Sequence, residues 1–165
     1  MDNANPDFKP ITIYLESVVI SGTLVSKHQR LSDYFNLAIG YECFALKDPS
    51  AEDFDGHSFP VNPREFLIYK PEVLLVADLR GGESGSSEVN LQRIDKEGRR
   101  VMLSVGPFWL QGTIHVLPGN TLQQVLTGKT QFVPLTEATI LKPVKSEPRT
   151  FLINQTKIGA LAALD

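Results

Sequence analysis

Apolar and polar positions along this chain follow one order of segments and then follow it again. Ile11-Thr12-Ile13-Tyr14-Leu15 and Val18-Val19-Ile20-Ser21-Gly22-Thr23-Leu24-Val25 are β-branched and aromatic, the composition of strands. Glu16-Ser17 between them predicts a hairpin turn. Residues 100–104 and 108–116 read as the same two strands around the breaker Val105-Gly106-Pro107. Each second strand carries an interior glycine, Gly22 or Gly112, which marks a bulge, a sharp bend or a close backbone approach. Leu31, Tyr34 and Phe35 then fall at the spacing of one helical face, as do Leu122, Val125 and Leu126. These stretches are too short to be stable alone. They predict one or two helical turns plugging an open end of a barrel. Residues 44–47 and 132–135 predict short strands. Each copy closes on Arg-x-Phe-Leu-Ile, at Arg64 to Ile68 and Arg149 to Ile153, and then runs apolar again. Residues 65–70 and 73–77 read as a strand pair around Lys70-Pro71-Glu72, and residues 151–154 and 157–163 as a pair around Gln155-Thr156.

Such self-similarity defines an architecture before any single residue does. It divides the chain into a first β-barrel repeat at 1–79, a Gly/Ser-rich linker at 80–98 and a second repeat at 99–165. The predicted fold class is all-β, two small, strongly bent barrels in tandem with a short helical segment in each. A unit of about 65–70 residues is near the lower limit for a self-sufficient core, so the two pack on each other or on other chains. Small barrels also leave open edge strands that need covering. Pairing between the copies, and between chains, meets that need and predicts a homo-oligomer. The first copy is longer by an insertion, residues 51–63, which maps to a surface loop.

Composition narrows the class. Hydrophobic residues at 42% and charged residues at 21% are those of a soluble globular protein. No apolar run approaches the ~18 residues of a membrane span, and the acidic start, Met1 to Asp7, is unlike a secretory signal. With Cys43 as the one cysteine, an intrachain disulfide and a four-cysteine metal site are both excluded. A cytoplasmic location is the expectation. Charge is uneven: residues 1–79 hold 6 Lys/Arg against 12 Asp/Glu, and residues 80–165 hold 10 against 7. The halves therefore balance at −6 and +3, signs that could help the halves or neighbouring chains to dock.

Candidate chemistry is sparse. The stretch Arg80-Gly81-Gly82-Glu83-Ser84-Gly85-Ser86 lacks the lysine of a phosphate-binding loop and the closing glycine of a nucleophile elbow, so it reads as a linker. Asp53, Asp55 and His57 stand at alternate positions and could offer oxygen and imidazole ligands, yet they lack the ligand set of a calcium loop. They read as a solvated loop, and no metal or cofactor is expected. His28, His57 and His115 show no paired ligand spacing. Cys43 has no adjacent histidine or basic residue to activate it and reads as a buried, inert thiol. Arg93, Lys96, Arg99 and Arg100 form the one basic cluster, with Phe108 and Trp109 close behind, and are the candidate nucleic-acid contacts. The pI of about 5.6 argues against a general affinity for phosphate backbones.

Two resemblances follow from these segments. Gly112 to Gly119, residues 132–138, and the run Arg30-Leu31-Ser32-Asp33-Tyr34-Phe35-Asn36 resemble a family of uncharacterised bacterial β-domain proteins of the DUF type, with an R-L-S-D-x-L-N signature. That family implies no activity. In order, each repeat is similar to the Sm-like (Lsm) barrel, two long strands, a short one and a final pair, a shape shared with SH3-like barrels. The Sm-like resemblance implies edge-to-edge rings and, for many members, RNA binding. The segments between these strands do not carry the Asp/Asn and Arg-Gly pattern of the Sm RNA pocket, and fold alone does not carry function. The expectation is a non-enzymatic interaction or scaffold protein, a homo-oligomer with a possible protein partner and no membrane contact. An Sm-like RNA-binding protein is the alternative.

Overall fold

The structure, a computed structural model, describes residues 5–27, 30–37, 42–80 and 95–164. The first half comprises β1 (Asp7–Tyr14), β2 (Val19–Ser26), helix α1 (Leu31–Leu37), β3 (Cys43–Glu52), β4 (Glu65–Tyr69) and β5 (Leu75–Asp78). The second comprises β6 (Glu97–Val105), β7 (Phe108–Val116), helix α2 (Leu122–Leu126), β8 (Phe132–Lys142), β9 (Arg149–Asn154) and β10 (Ile158–Ala163). A short 3-10 turn, Lys70–Glu72 or Gln155–Lys157, precedes the last strand of each half. All ten strands pair antiparallel in one open sheet, in the order β10-β6-β7-β8-β9-β5-β1-β2-β3-β4. No helix among the described residues is long and apolar enough to cross a membrane.

Several expectations change here. The strand pairs read around Lys70-Pro71-Glu72 and Gln155-Thr156 are not hairpins. β4 pairs with β3, while β5 pairs with β1 and β9. Likewise β9 pairs with β8, and β10 with β6. Three residues of 3-10 turn carry the chain from one edge of its half to the other. β3 and β8 are the longest strands rather than short ones, and each bends in mid-course. Asp48 and Glu137 take left-handed φ values of 47° and 48° at those bends, and the registers with β2 and β7 slip there. Glu97 and Gly98, read as linker, already belong to β6.

Gly22 and Gly112 sit in β2 and β7 where these registers slip. Their reason is close approach. A Cβ on Gly112 would stand 2.8 Å from Leu135 Cγ and from Ala138 Cβ, and one on Gly22 2.8 Å from Leu46 Cγ and 2.9 Å from the Lys47 carbonyl. The bent strand thus folds tightly over the glycine of its neighbour.

Side chains alternate across the sheet and gather in two cores. One cluster holds Ile11, Ile13, Ile20, Leu24, Phe44, Leu46, Ile68 and Val76 of the first half, with Leu31 and Phe35 of α1. The other holds Val101, Leu103, Phe108, Leu110, Ile114, Leu135, Ile140, Phe151 and Ile153 of the second half. Neither is closed by its own half. Phe132 and Leu152 enter the first cluster, and Leu74, Leu75 and Ala77 enter the second. The exchange occurs at the seam, where β5 and β9 pair as Leu75↔Ile153, Val76↔Leu152 and Ala77↔Phe151. A strand buried on both faces reads as an unbroken apolar run, and Val73-Leu74-Leu75-Val76-Ala77 is one.

Further contacts fasten the seam. The Asn154 amide is fully buried and donates from Nδ2 to the Val73 carbonyl at 2.8 Å. Asn36 of α1 donates to the Phe132 carbonyl at 2.9 Å and accepts from the Phe132 N–H at 2.8 Å. Phe35 lies against Phe132 with ring centroids 5.1 Å apart. Ala51 and Glu52 of the 51–63 insertion still belong to β3, and beyond them the chain folds back so that Phe54 meets Phe108 edge-on at 5.2 Å. The first-half insertion therefore reaches onto the second-half core.

Candidate functional site

Ten strands in one open sheet leave two edges, β4 and β10, and both are unpaired on their outer side among the described residues. Their exposure contrasts with that of the seam strands. Leu152 in β9 is 6% exposed, whereas Leu67, at the same place in its Arg-x-Phe-Leu-Ile motif on β4, is 69% exposed. Tyr69 beside it is half exposed and donates to the Glu42 carboxylate at 3.0 Å, which raises its pKa by favouring the protonated phenol. β10 alternates half-buried Ile158 and Leu161 with exposed Gly159, Ala160, Ala162 and Ala163, and carries no charge. An uncharged, unpaired edge is a template for another strand.

The described part of the basic segment lies at and just before the start of β6. Lys96, Arg99 and Arg100 are exposed, while Arg93 lies outside the described residues. Arg99 and Arg100 are successive in β6 and so point to opposite faces. Arg99 bonds to Glu97 at 3.2 Å. The aromatics read as companions lie elsewhere. Phe108 is fully buried in the second core. Trp109 pairs with Ser104, about 13 Å along the strand from Arg100, and sits under the Lys142 ammonium at 5.9 Å.

The acidic turn does come together. Asp53, Asp55 and His57 can place one ligand atom each within 4.8 Å of one another. Asp53 is already engaged, however. Its Oδ1 accepts from the backbone N–H groups of Asp55 and His57, each at 2.9 Å, and its Oδ2 lies 3.3 Å from His57 Nδ1. The His57 N–H is the main cause of its lowered pKa. The carboxylate organises its own loop. Beside it, a cleft of about 270 Å³ runs between the halves, lined by Tyr14, Glu52 and Phe54 on one side and Val144, Glu147 and Arg149 on the other. Burial raises the Tyr14 pKa, which keeps the phenol a neutral donor.

Cys43 corrects the sequence reading: it is exposed, not buried. It opens β3 opposite Tyr69 at the outer edge. Phe132, which opens β8, is covered by α1 instead. His115 is exposed, with Nε2 2.8 Å from Thr136 Oγ1, and His28 lies outside the described residues. The edges were the surfaces that sequence reasoning had not named residue by residue. A usable signal was present, since the last run of the first half is continuously apolar while its counterpart thins to Gly and Ala. Comparison with protein-family models, curated proteins and solved structures returns no match to this chain.

Proposed function

We propose that this chain is a non-enzymatic interaction protein, built from two bent, Sm-like five-stranded units in tandem and assembling with further copies of itself. The observation that carries the reading is the strand order. Each half runs last-first-second-third-fourth across the sheet, β5-β1-β2-β3-β4 and β10-β6-β7-β8-β9. Paired glycines at Gly22 and Gly112 and paired left-handed bends at Asp48 and Glu137 support the same duplication. The sequence spells no catalytic triad and no paired carboxylates in a recognisable setting, and the acidic turn spends its central carboxylate on its own backbone. Light scattering on the eluting protein over micromolar concentrations tests the assembly. A strictly monomeric mass throughout removes it.

RNA binding is the second reading, favoured by exposed Lys96 just before β6 and exposed Arg100 within it. It predicts a gel shift with single-stranded RNA that weakens steeply with salt. No shift at low salt removes that reading and leaves the first untouched.

A further inference from the structure

We propose that the β4 edge of one copy pairs with the β10 edge of the next, in the register that joins β9 to β5 inside the chain; this rests on the self-assembly reading above. The seam supplies the template. β4 and β9 carry the same Phe-Leu-Ile run, and β5 and β10 each follow a three-residue 3-10 turn. Transferring Leu75↔Ile153, Val76↔Leu152 and Ala77↔Phe151 onto the equivalent positions sets Ala160 opposite Ile68, Leu161 opposite Leu67 and Ala162 opposite Phe66 of the next copy.

The side chains fit that register face by face. At the seam, Leu152 crosses into the core of the neighbouring half. In the transferred register Leu67 takes that role, entering the core against which Leu161 already packs. Ala160 and Ala162 turn to the opposite face, where Phe66 and Ile68 line the first core. The Tyr69 N–H takes the place of the Asn154 N–H, which donates to the Leu74 carbonyl at 2.9 Å, and meets the Gly159 carbonyl. Even Cys43 is accounted for. It occupies the position of Phe132, which α1 covers at the seam, so α2 of the neighbouring copy faces it.

Charge selects this pairing over an edge meeting its own kind. β4 belongs to the −6 half and β10 to the +3 half, so each junction brings opposite signs together, whereas β4 on β4 sets two acidic halves face to face. The contact is heterologous. It closes into a ring if the rotation per copy permits and grows as a filament if not. Since every chain brings two halves, any closed ring holds an even number of them.

Two edge variants and their mixture test this. Leu67→Lys blocks β4 and Ala160→Lys blocks β10, both at exposed positions. Circular dichroism checks the fold, and Tyr69→Lys is the second β4 variant if Leu67→Lys does not fold. Sedimentation should show multimers for the unmodified chain, a single chain of 18.3 kDa for each variant alone, and a two-chain species for their equimolar mixture. The mixture stops at two because one intact β4 and one intact β10 remain free to pair. An unmodified chain that stays monomeric overturns both this inference and the self-assembly reading. Multimers that survive both substitutions, or a mixture that remains monomeric, overturn the edge pairing alone.

Discussion

Gly112 shows how one hydrogen atom sets the curvature of a half. Its missing side chain lets β8 fold over β7 within 3.0 Å of where a Cβ would be, measured to the Ala138 Cα. Gly112→Ala should therefore cost about 1–3 kcal/mol of stability in urea titration, the range of an overpacked core. Gly159→Ala on the edge, whose nearest atom is Ser104 Oγ at 3.2 Å, should change stability by no more than about 0.5 kcal/mol. A second residue-scale test concerns Asp7. It bonds to the fully buried Lys9 ammonium and, at 3.1 Å, to Arg80, and the Lys9 hydrogen bond leads in lowering its pKa. A carboxylate with a depressed folded-state pKa adds stability above its ordinary value of 3.8 and loses it as pH falls through the lowered value. The melting temperature of Asp7→Asn should thus lie below that of the unmodified protein at neutral pH, and the gap should close in acid. A gap that persists unchanged at pH 2 would refute the linkage.

Among elements, β5 and β9 matter most, because each is buried on both faces by two different cores. Asn154 ends β9 with its Nδ2 on the Val73 carbonyl and its Oδ1 accepting from the Thr156 N–H and hydroxyl. Asn154→Ala leaves the carbonyl without that donor and should lower stability by about 1–3 kcal/mol, read from chemical denaturation. Much of this level was legible in the residues. Strand alternation placed β1, β2, β6 and β7, and the i, i+3, i+4 spacing placed both helices. What alternation could not say is which strand neighbours which. The apolar runs after Ile68 and Ile153 looked like hairpin partners because the short turns at Lys70 and Gln155 resemble hairpin turns. A 3-10 turn instead reverses the chain out of its own pair. The bends at Asp48 and Glu137 were hidden because neither is glycine. Of the candidate sites, the acidic turn was legible because its ligands are near in sequence. The open edges were not, since an edge is defined by the strand that is missing beside it.

At the scale of the molecule, two halves share one sheet and complete each other's cores. Fragments 1–80 and 95–165 should each fail to show a cooperative thermal transition, and their equimolar mixture should recover one in circular dichroism. A sharp transition from 1–80 alone would mean that Phe132 and Leu152 are dispensable to the first core. The pairing of Val76 with Leu152 also bears on the order of events during synthesis. Domains commonly fold one after another as the ribosome releases them. Here the first half emerges with Leu75 and Ala77 bare and its core short of two side chains, and it stays so until Leu152 has left the exit tunnel. The nascent chain is therefore committed late. From the emergence of β5 until then it presents an uncovered apolar strand to the cell, and the last strands to be made are the ones that cover it.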